Sequence, residues 1–434
     1  MHFDEAVAYL LSLGHETLTI KLGLRNTRLL FAALDHPERA FPSVQIAGTN
    51  GKGSTSVFLE AICRAANIQT GLYTSPHLQC ITERIKINGT EISRESFAQH
   101  ATQVRRAAES LVARGELEAL PTFFEQVTAI ALVAFREAGI ELAILETGLG
   151  GRLDSTTAAD AKVCAITQIA FDHQEYLGNT LESIAAEKAA IIRSGTQVVL
   201  APQRPEVLQV ILKRCEEVGV KPQLDGCSVS INSVSSNGQF VVSLKTRNAR
   251  YDSILLGLRG EHQIENAAIA VQLAETIKTI GFEVSTQAVI TGLESASHPG
   301  RLELLGAVPE FLLDGAHNPA GAHALRKFLE KFGKRPLSIV FGAMRDKNIA
   351  AIGEILFPLA DHLIVTQVAT PRAASLEELL AVAKTFRRGT VTTAETSRTA
   401  VELAIQTTPA TGIVCVTGSL YLIGEVRDVI ADRV

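Results

Sequence analysis

The chain has 434 residues, 46% hydrophobic and 20% charged, with Lys+Arg 41 against Asp+Glu 46 and a formal net charge of −5. At about 150 residues per domain this is two large domains or three smaller ones, enough to bury a core without staples, which excludes disordered, collagen-like and coiled-coil chains. The mild acidic excess forms no charge block and argues against nucleic acid or a membrane surface as partner. Six scattered cysteines with no Cys-x-x-Cys pair point to reduced, cytoplasmic thiols and away from a zinc site.

Met1-His2-Phe3-Asp4-Glu5 lacks the basic start and apolar run of a signal peptide. Phe3, Val7, Leu10 and Leu11 recur at helical spacing, as do Leu29, Leu30, Ala33 and Leu34. Val44-Gln45-Ile46-Ala47 reads as a strand that runs into glycine-rich sequence, after which Val57, Leu59, Ile62 and Ala65 resume a helical period. The helix-like stretch Phe124–Phe135 precedes the buried strand Ala143-Ile144-Leu145. The richest apolar run, Val127 to Leu145, is broken by Arg136 and Glu137 and falls short of a membrane span. Val163-Cys164-Ala165-Ile166 is another buried strand, and Leu181–Ile192 another helix. Continuously apolar strands alternating with helices predict an α/β fold with a parallel sheet covered on both faces.

Ser228–Ile231 and Phe240–Leu244 alternate around Asn237-Gly238, which predicts a small antiparallel patch. Periodicity stops at Ser295-Ala296-Ser297-His298-Pro299-Gly300, the predicted linker. Beyond it the strands Glu310–Leu313, Leu337–Phe341, Leu363–Val365 and Ile413–Val416 predict a second, smaller Rossmann-like α/β domain. The expected division is therefore 1–294, a linker at 295–300, and 301–434.

Gly48-Thr49-Asn50-Gly51-Lys52-Gly53-Ser54-Thr55 stands between a strand and a helix, the context of a phosphate loop. Its glycines let backbone N–H groups and the helix N-terminus face an anion, Lys52 adds charge, and the Ser54 hydroxyl can ligate Mg²⁺. The strict pattern is not met, because Ile46 replaces the first glycine and Gly53 separates lysine from hydroxyl. Glu146 follows its apolar strand at the carboxyl end, where ligands of open α/β sheets bind and where an acid commonly holds Mg²⁺.

This loop resembles that of the folylpolyglutamate synthases, folate relatives of the Mur ligases. Similar in order are Thr74-Ser75-Pro76-His77-Leu78 and Glu146-Thr147-Gly148-Leu149-Gly150-Gly151-Arg152-Leu153-Asp154. So are Asp172-His173 with Leu177–Thr180, Glu187-Lys188-Ala189, and Leu258–Gln263 with Asn266-Ala267. Pro299-Gly300-Arg301, Asp314–Pro319 and Thr417–Tyr421 complete the series. The resemblance implies a monomeric ligase in which ATP, a reduced folate or dihydropteroate, and L-glutamate are substrates. It implies ATP contacts at Asn50, Gly51, Lys52, Gly53, Ser54, Thr55, Asn266, Arg301 and Asp314. It implies one Mg²⁺ at Ser54, Ser75 and Glu146, and a second at Glu146, His173 and a carbamylated Lys188. Catalytic roles fall to Lys52, Lys188 and His317, with His317 and Ser419 also taking glutamate. Thr122, Phe124 and Glu125 match the folate-contacting segment, where an aromatic ring can stack on a pterin. Leu22, Gly23, Leu153, Asp154 and Ser155 match the pterin site of members that also make dihydrofolate. Lys21, Arg25 and Asn26 depart from the usual charges of that motif, leaving one or two ligase activities open. The rivals are a Mur-type amino-acid ligase, for whose N-terminal domain the 47 residues before Gly48 leave no room, and a regulatory P-loop NTPase, whose Asn-Lys-x-Asp signature is missing.

Overall fold

The computed structural model describes residues 1–14, 23–224, 226–387 and 389–431. The first sheet has seven strands: β1 (Ser43–Ala47), β2 (Thr70–Tyr73), β3 (Ile85–Ile87), β4 (Thr90–Glu91), β5 (Leu142–Glu146), β6 (Val163–Ile166) and β7 (Gln197–Leu200). Their order is β4-β3-β2-β5-β1-β6-β7. The five strands from β2 to β7 in that row run parallel, while β3 and β4 turn back antiparallel at one edge. β1, β2, β5 and β6 are buried along their whole length, which the apolar runs predict for β1, β5 and β6.

Helix Lys52–Ala65 leaves β1 and is buried from Gly53 to Cys63. Helix Thr286–Ser295 crosses it at Gly292, where a Cβ would stand 2.4 Å from the Ile62 Cα, so only glycine permits this approach. Helix Phe123–Ala138 covers the sheet elsewhere. It opens on a Thr122/Glu125 capping box and stops at Gly139 in the left-handed region.

The antiparallel patch has three strands: β8 (Cys227–Val234), β9 (Phe240–Thr246) and β10 (Arg250–Leu255), in the order β10-β9-β8. β9 buries alternate residues from Phe240 to Thr246, joining the apolar core of the first sheet. The third sheet holds β11 (Glu303–Leu305), β12 (Glu310–Asp314), β13 (Leu337–Phe341), β14 (His362–Thr366), β15 (Val391–Ala394) and β16 (Ile413–Thr417). Its order is β11-β12-β16-β13-β14-β15, parallel except for β11. The expected helix Leu181–Ile192 is shorter, Leu181–Ala189. Among the described residues no helix is long and apolar enough to cross a membrane.

Candidate active site

β1 lies between β5 and β6, so the turns leaving all three at their carboxyl ends converge. They open on a cavity of about 390 Å³ whose far wall comes from the third sheet. Every residue given a role above lines this cavity except two. Leu22 lies outside the described residues. Thr55 is fully buried beneath the phosphate loop, because one residue past Ser54 a helix turns its side chain by about 100°.

Gly51 takes φ 89°, and a Cβ there would meet the Asn266 Oδ1 at 2.2 Å. Lys52 is the first residue of the helix Lys52–Ala65 rather than a loop residue. Its Nζ folds back and donates to the Thr49 carbonyl at 3.1 Å. Burial pushes its ammonium below the usual range, while Glu146 and Asp172 pull the other way. Ser54 Oγ accepts from Gln263 Nε2 at 3.2 Å and stands 3.5 Å from His298 Nδ1. His298 therefore packs on the phosphate loop, although it belongs to the segment read as a linker. Burial and the Arg301 charge hold it down to about 3, so it is neutral.

Glu146 ends β5 buried, its Oε2 accepting from the Ser75 N–H at 3.1 Å. Burial pushes this carboxyl up, against the opposing charge of Lys52. His173 follows β6. Burial holds it down to about 4, and its buried Nδ1 has no hydrogen-bond partner among the described residues. Lys188, on the last turn of helix Leu181–Ala189, is 5% exposed, and burial together with the Lys52 charge pushes it down to about 7.

Asp172 ties the two walls together. Its Oδ1 accepts from Lys347 Nζ at 2.8 Å, its Oδ2 from Asn318 Nδ2 at 3.1 Å, and His317 Nε2 lies 3.5 Å away. Burial alone would raise this carboxyl, but the bond and charge of His317, with Lys347 and His173, hold it well below the carboxylate range. Asn318 Nδ2 also donates to Asn50 Oδ1 at 3.0 Å. Lys347 and Asn318 had no assigned role, and an Asp-Lys-Asn turn at 346–348 carries no periodicity to mark it. Asp314, which ends β12, accepts from the N–H groups of Leu302 and Ala316 at 3.0 and 3.1 Å beside Arg301. Ser419 Oγ accepts from the Tyr421 N–H.

On the opposite side Phe123 enters the core while the Phe124 ring lies against Gly148 in the cavity wall. Glu125 is spent on the protein, since Oε2 accepts from the Thr122 N–H and hydroxyl and Oε1 from Thr27. Asp154 likewise accepts from Gly148, Leu149 and Thr156, pinning the glycine-rich turn. Ser155 Oγ is 2.6 Å from Thr128 Oγ1. These three shape the wall through bonds they already make, and Gly23, Thr122 and Leu153 complete it.

A phosphate loop facing a second α/β layer across a cavity is the architecture of an ATP-dependent ligase of the Mur type. Residues 46–274 match the Mur ligase middle domain, and residues 300–420 match the Mur ligase, glutamate ligase domain. The dihydrofolate synthase/folylpolyglutamate synthase of Bacillus subtilis is 35% identical over 422 residues, covering 95% of this chain and 96% of that protein. A probable bifunctional folylpolyglutamate synthase/dihydropteroate synthase of Halobacterium salinarum is 35% identical over 429 residues, and the chain spans 51% of its length. The Mycobacterium tuberculosis folylpolyglutamate synthase complexed with ADP and AMPPCP superposes with a TM-score of 0.89 at 33% identity, covering 98% of each chain. The chain belongs to the folylpolyglutamate synthase/dihydrofolate synthase family of the Mur ligase superfamily.

Proposed function

We propose that the protein joins L-glutamate to the carboxylate of a reduced folate at the expense of ATP, and that dihydropteroate is a second acceptor. The observation that carries this reading is the single cavity running from the phosphate loop to Phe124 on one side and to His317 and Ser419 on the other. A free carboxylate is a poor acyl donor. Attack of the folate carboxylate on the γ-phosphate of ATP breaks the β,γ-bridge and gives an acyl phosphate and ADP, and the neutral glutamate amine then displaces phosphate, losing a proton, to form the amide. Lys52 and the N–H groups of the first helical turn hold the phosphates, and Asn266, Arg301 and Asp314 hold the rest of the nucleotide. His317 and Ser419 take the incoming glutamate, and the Phe124 ring stacks on the pterin.

Magnesium fits the residues present. Among the described residues no three His, Cys, Asp or Glu side chains converge in a metal-holding group, so the site needs hydroxyl and modified-lysine ligands besides Glu146 and His173. His173 is neutral with a buried nitrogen unpaired among the described residues, and Lys188 is depressed far enough to present the free amine that attacks CO₂. Ser54, Ser75 and Glu146 would hold one ion, and Glu146, His173 and carbamylated Lys188 a second. Such ions supply charge neutralisation on the departing γ-phosphoryl.

The division at residues 295–300, a monomeric state and a cytoplasmic location without membrane or nucleic-acid partners belong to the same reading. Labelled glutamate incorporation, assayed with dihydropteroate and separately with tetrahydrofolate, tests it. Incorporation with both supports two activities, incorporation with tetrahydrofolate alone removes dihydropteroate, and incorporation with neither overturns the proposal.

A further inference from the structure

Gln263 lies on the first turn of helix His262–Thr276 and is 1% exposed. A buried amide costs free energy unless its polar atoms are paired, and an apolar side chain of equal volume would fill the same space without that demand. Here the pairing is complete. Oε1 accepts from Asn266 Nδ2 at 2.9 Å, and Nε2 donates to Ser54 Oγ at 3.2 Å. Nε2 also stands 3.2 Å from the His262 Nε2, which accepts its second proton when that imidazole carries its own proton on Nδ1.

These bonds have a consequence for Ser54. A serine hydroxyl carries one proton and two lone pairs and turns freely among its rotamers when nothing holds it. Gln263 takes one lone pair. His298 Nδ1 stands 3.5 Å from the same oxygen. These two contacts restrict the rotamers of the hydroxyl, which faces the cavity. The same amide commits Asn266 Nδ2, which leaves Asn266 Oδ1 turned on Gly51 at the phosphate loop.

We propose that Gln263 is a positioning residue that holds the Ser54 hydroxyl with its free lone pair available to the magnesium of bound nucleotide, and holds the Asn266 amide in register with it. This rests on the reading of Ser54 as a magnesium ligand. Outer partners of metal ligands commonly govern affinity by about 10–100-fold.

The test is a double-mutant cycle read as Mn²⁺ affinity of the ADP complex, measured from the free Mn²⁺ electron paramagnetic resonance signal. Wild type, Ser54→Ala, Gln263→Met and the double variant are compared. Gln263→Met is expected to weaken Mn²⁺ by about tenfold or more. On the Ser54→Ala background the same change should have no further effect, because Gln263 acts through that hydroxyl. A merely structural role would give additive losses, and additivity overturns the proposal. So does wild-type Mn²⁺ affinity in Gln263→Met when Ser54→Ala has lost it. If Ser54→Ala itself binds Mn²⁺ normally, the assignment of Ser54 as ligand fails and takes this inference with it. Should Gln263→Met not fold, Gln263→Asn, which keeps the amide but withdraws it by one methylene, carries the same cycle with the same outcomes.

Discussion

Lys188 is held in the folded protein at a cost that can be measured. Its side chain is buried, and burial with the neighbouring Lys52 charge moves it from 10.5 to about 7, with Asp172, Asp154 and Glu187 restoring only part. Between those values the unfolded chain binds a proton that the folded one does not, so stability rises with pH across this window. At about 1.4 kcal/mol per pH unit, the penalty reaches about 5 kcal/mol at pH 7 and below, and disappears above the unfolded value. Lys188→Met removes the charge while keeping an unbranched chain of similar reach. Metal-free protein stripped of CO₂ and unfolded in urea should show the variant more stable than wild type at pH 7. That advantage should shrink by about 3 kcal/mol on going to pH 9.5. Other titrating groups, such as the buried cysteines whose thiols are pushed up, cancel in the difference. The variant should be inactive, a trade of function against stability. Parallel pH profiles for the two proteins would refute the assignment of a depressed, buried lysine, and with it the route to a carbamate.

Lys52→Ala should cost ligation about a hundredfold or more while ADP-free protein melts near the wild-type temperature; near-normal turnover would count against Lys52 as a phosphate contact. Gly51→Ala carries about 1–2 kcal/mol of backbone strain at φ 89° and a collision with Asn266, so calorimetry should find ADP binding at least tenfold weaker. Lys347→Met leaves Asp172 buried without its closest cation, at about 3–5 kcal/mol. Asp172 is held well below 3.8, so it contributes stability above that value that is lost as pH falls through its folded value. Without Lys347 the folded value of Asp172 moves up toward 3.8 and less stability is left to lose, so thermal midpoints should fall by less on acidification in Lys347→Met than in wild type, and identical acid limbs would dismiss the pair.

The long apolar runs were legible because burial on both faces leaves no polar residue to interrupt them. Val163–Ile166 and Leu337–Phe341 stand where their composition puts them. Thr70–Tyr73, with a threonine, a glycine and a tyrosine in four residues, has neither period nor apolar run, and its strand exists because β3 and β5 pair with it. The phosphate loop and Glu146 could be placed because both follow strands directly. Lys52 opens the helix rather than standing in the loop, since Gly51 caps a helix that begins five residues before the apolar period does at Val57. Lys347, Asn318 and the Gln263 amide acquire meaning only from partners 175 to 268 residues away, and no local pattern reports such distances. Glu125 and Asp154 line the cavity where the motif puts them, while the bonds they make to Thr27, Thr122 and Gly148 are not written in the motif.

The strand that carries the phosphate loop has both of its neighbours far downstream, Val44 pairing with Ile144 on one side and Val163 on the other. Local contacts cannot form this part of the sheet, and loops of this length must close before pairing repays them. On a ribosome adding about 5–20 residues per second, β1 waits roughly 6–24 s for β6 to be made. For that interval Val44-Gln45-Ile46-Ala47 is an apolar segment with unsatisfied edges, prone to wrong partners. Slower translation lengthens the wait in proportion. Yield of active enzyme should thus respond to codon choice between residues 48 and 166 more than to codons beyond, where β12, β13 and β16 assemble in a sheet of their own.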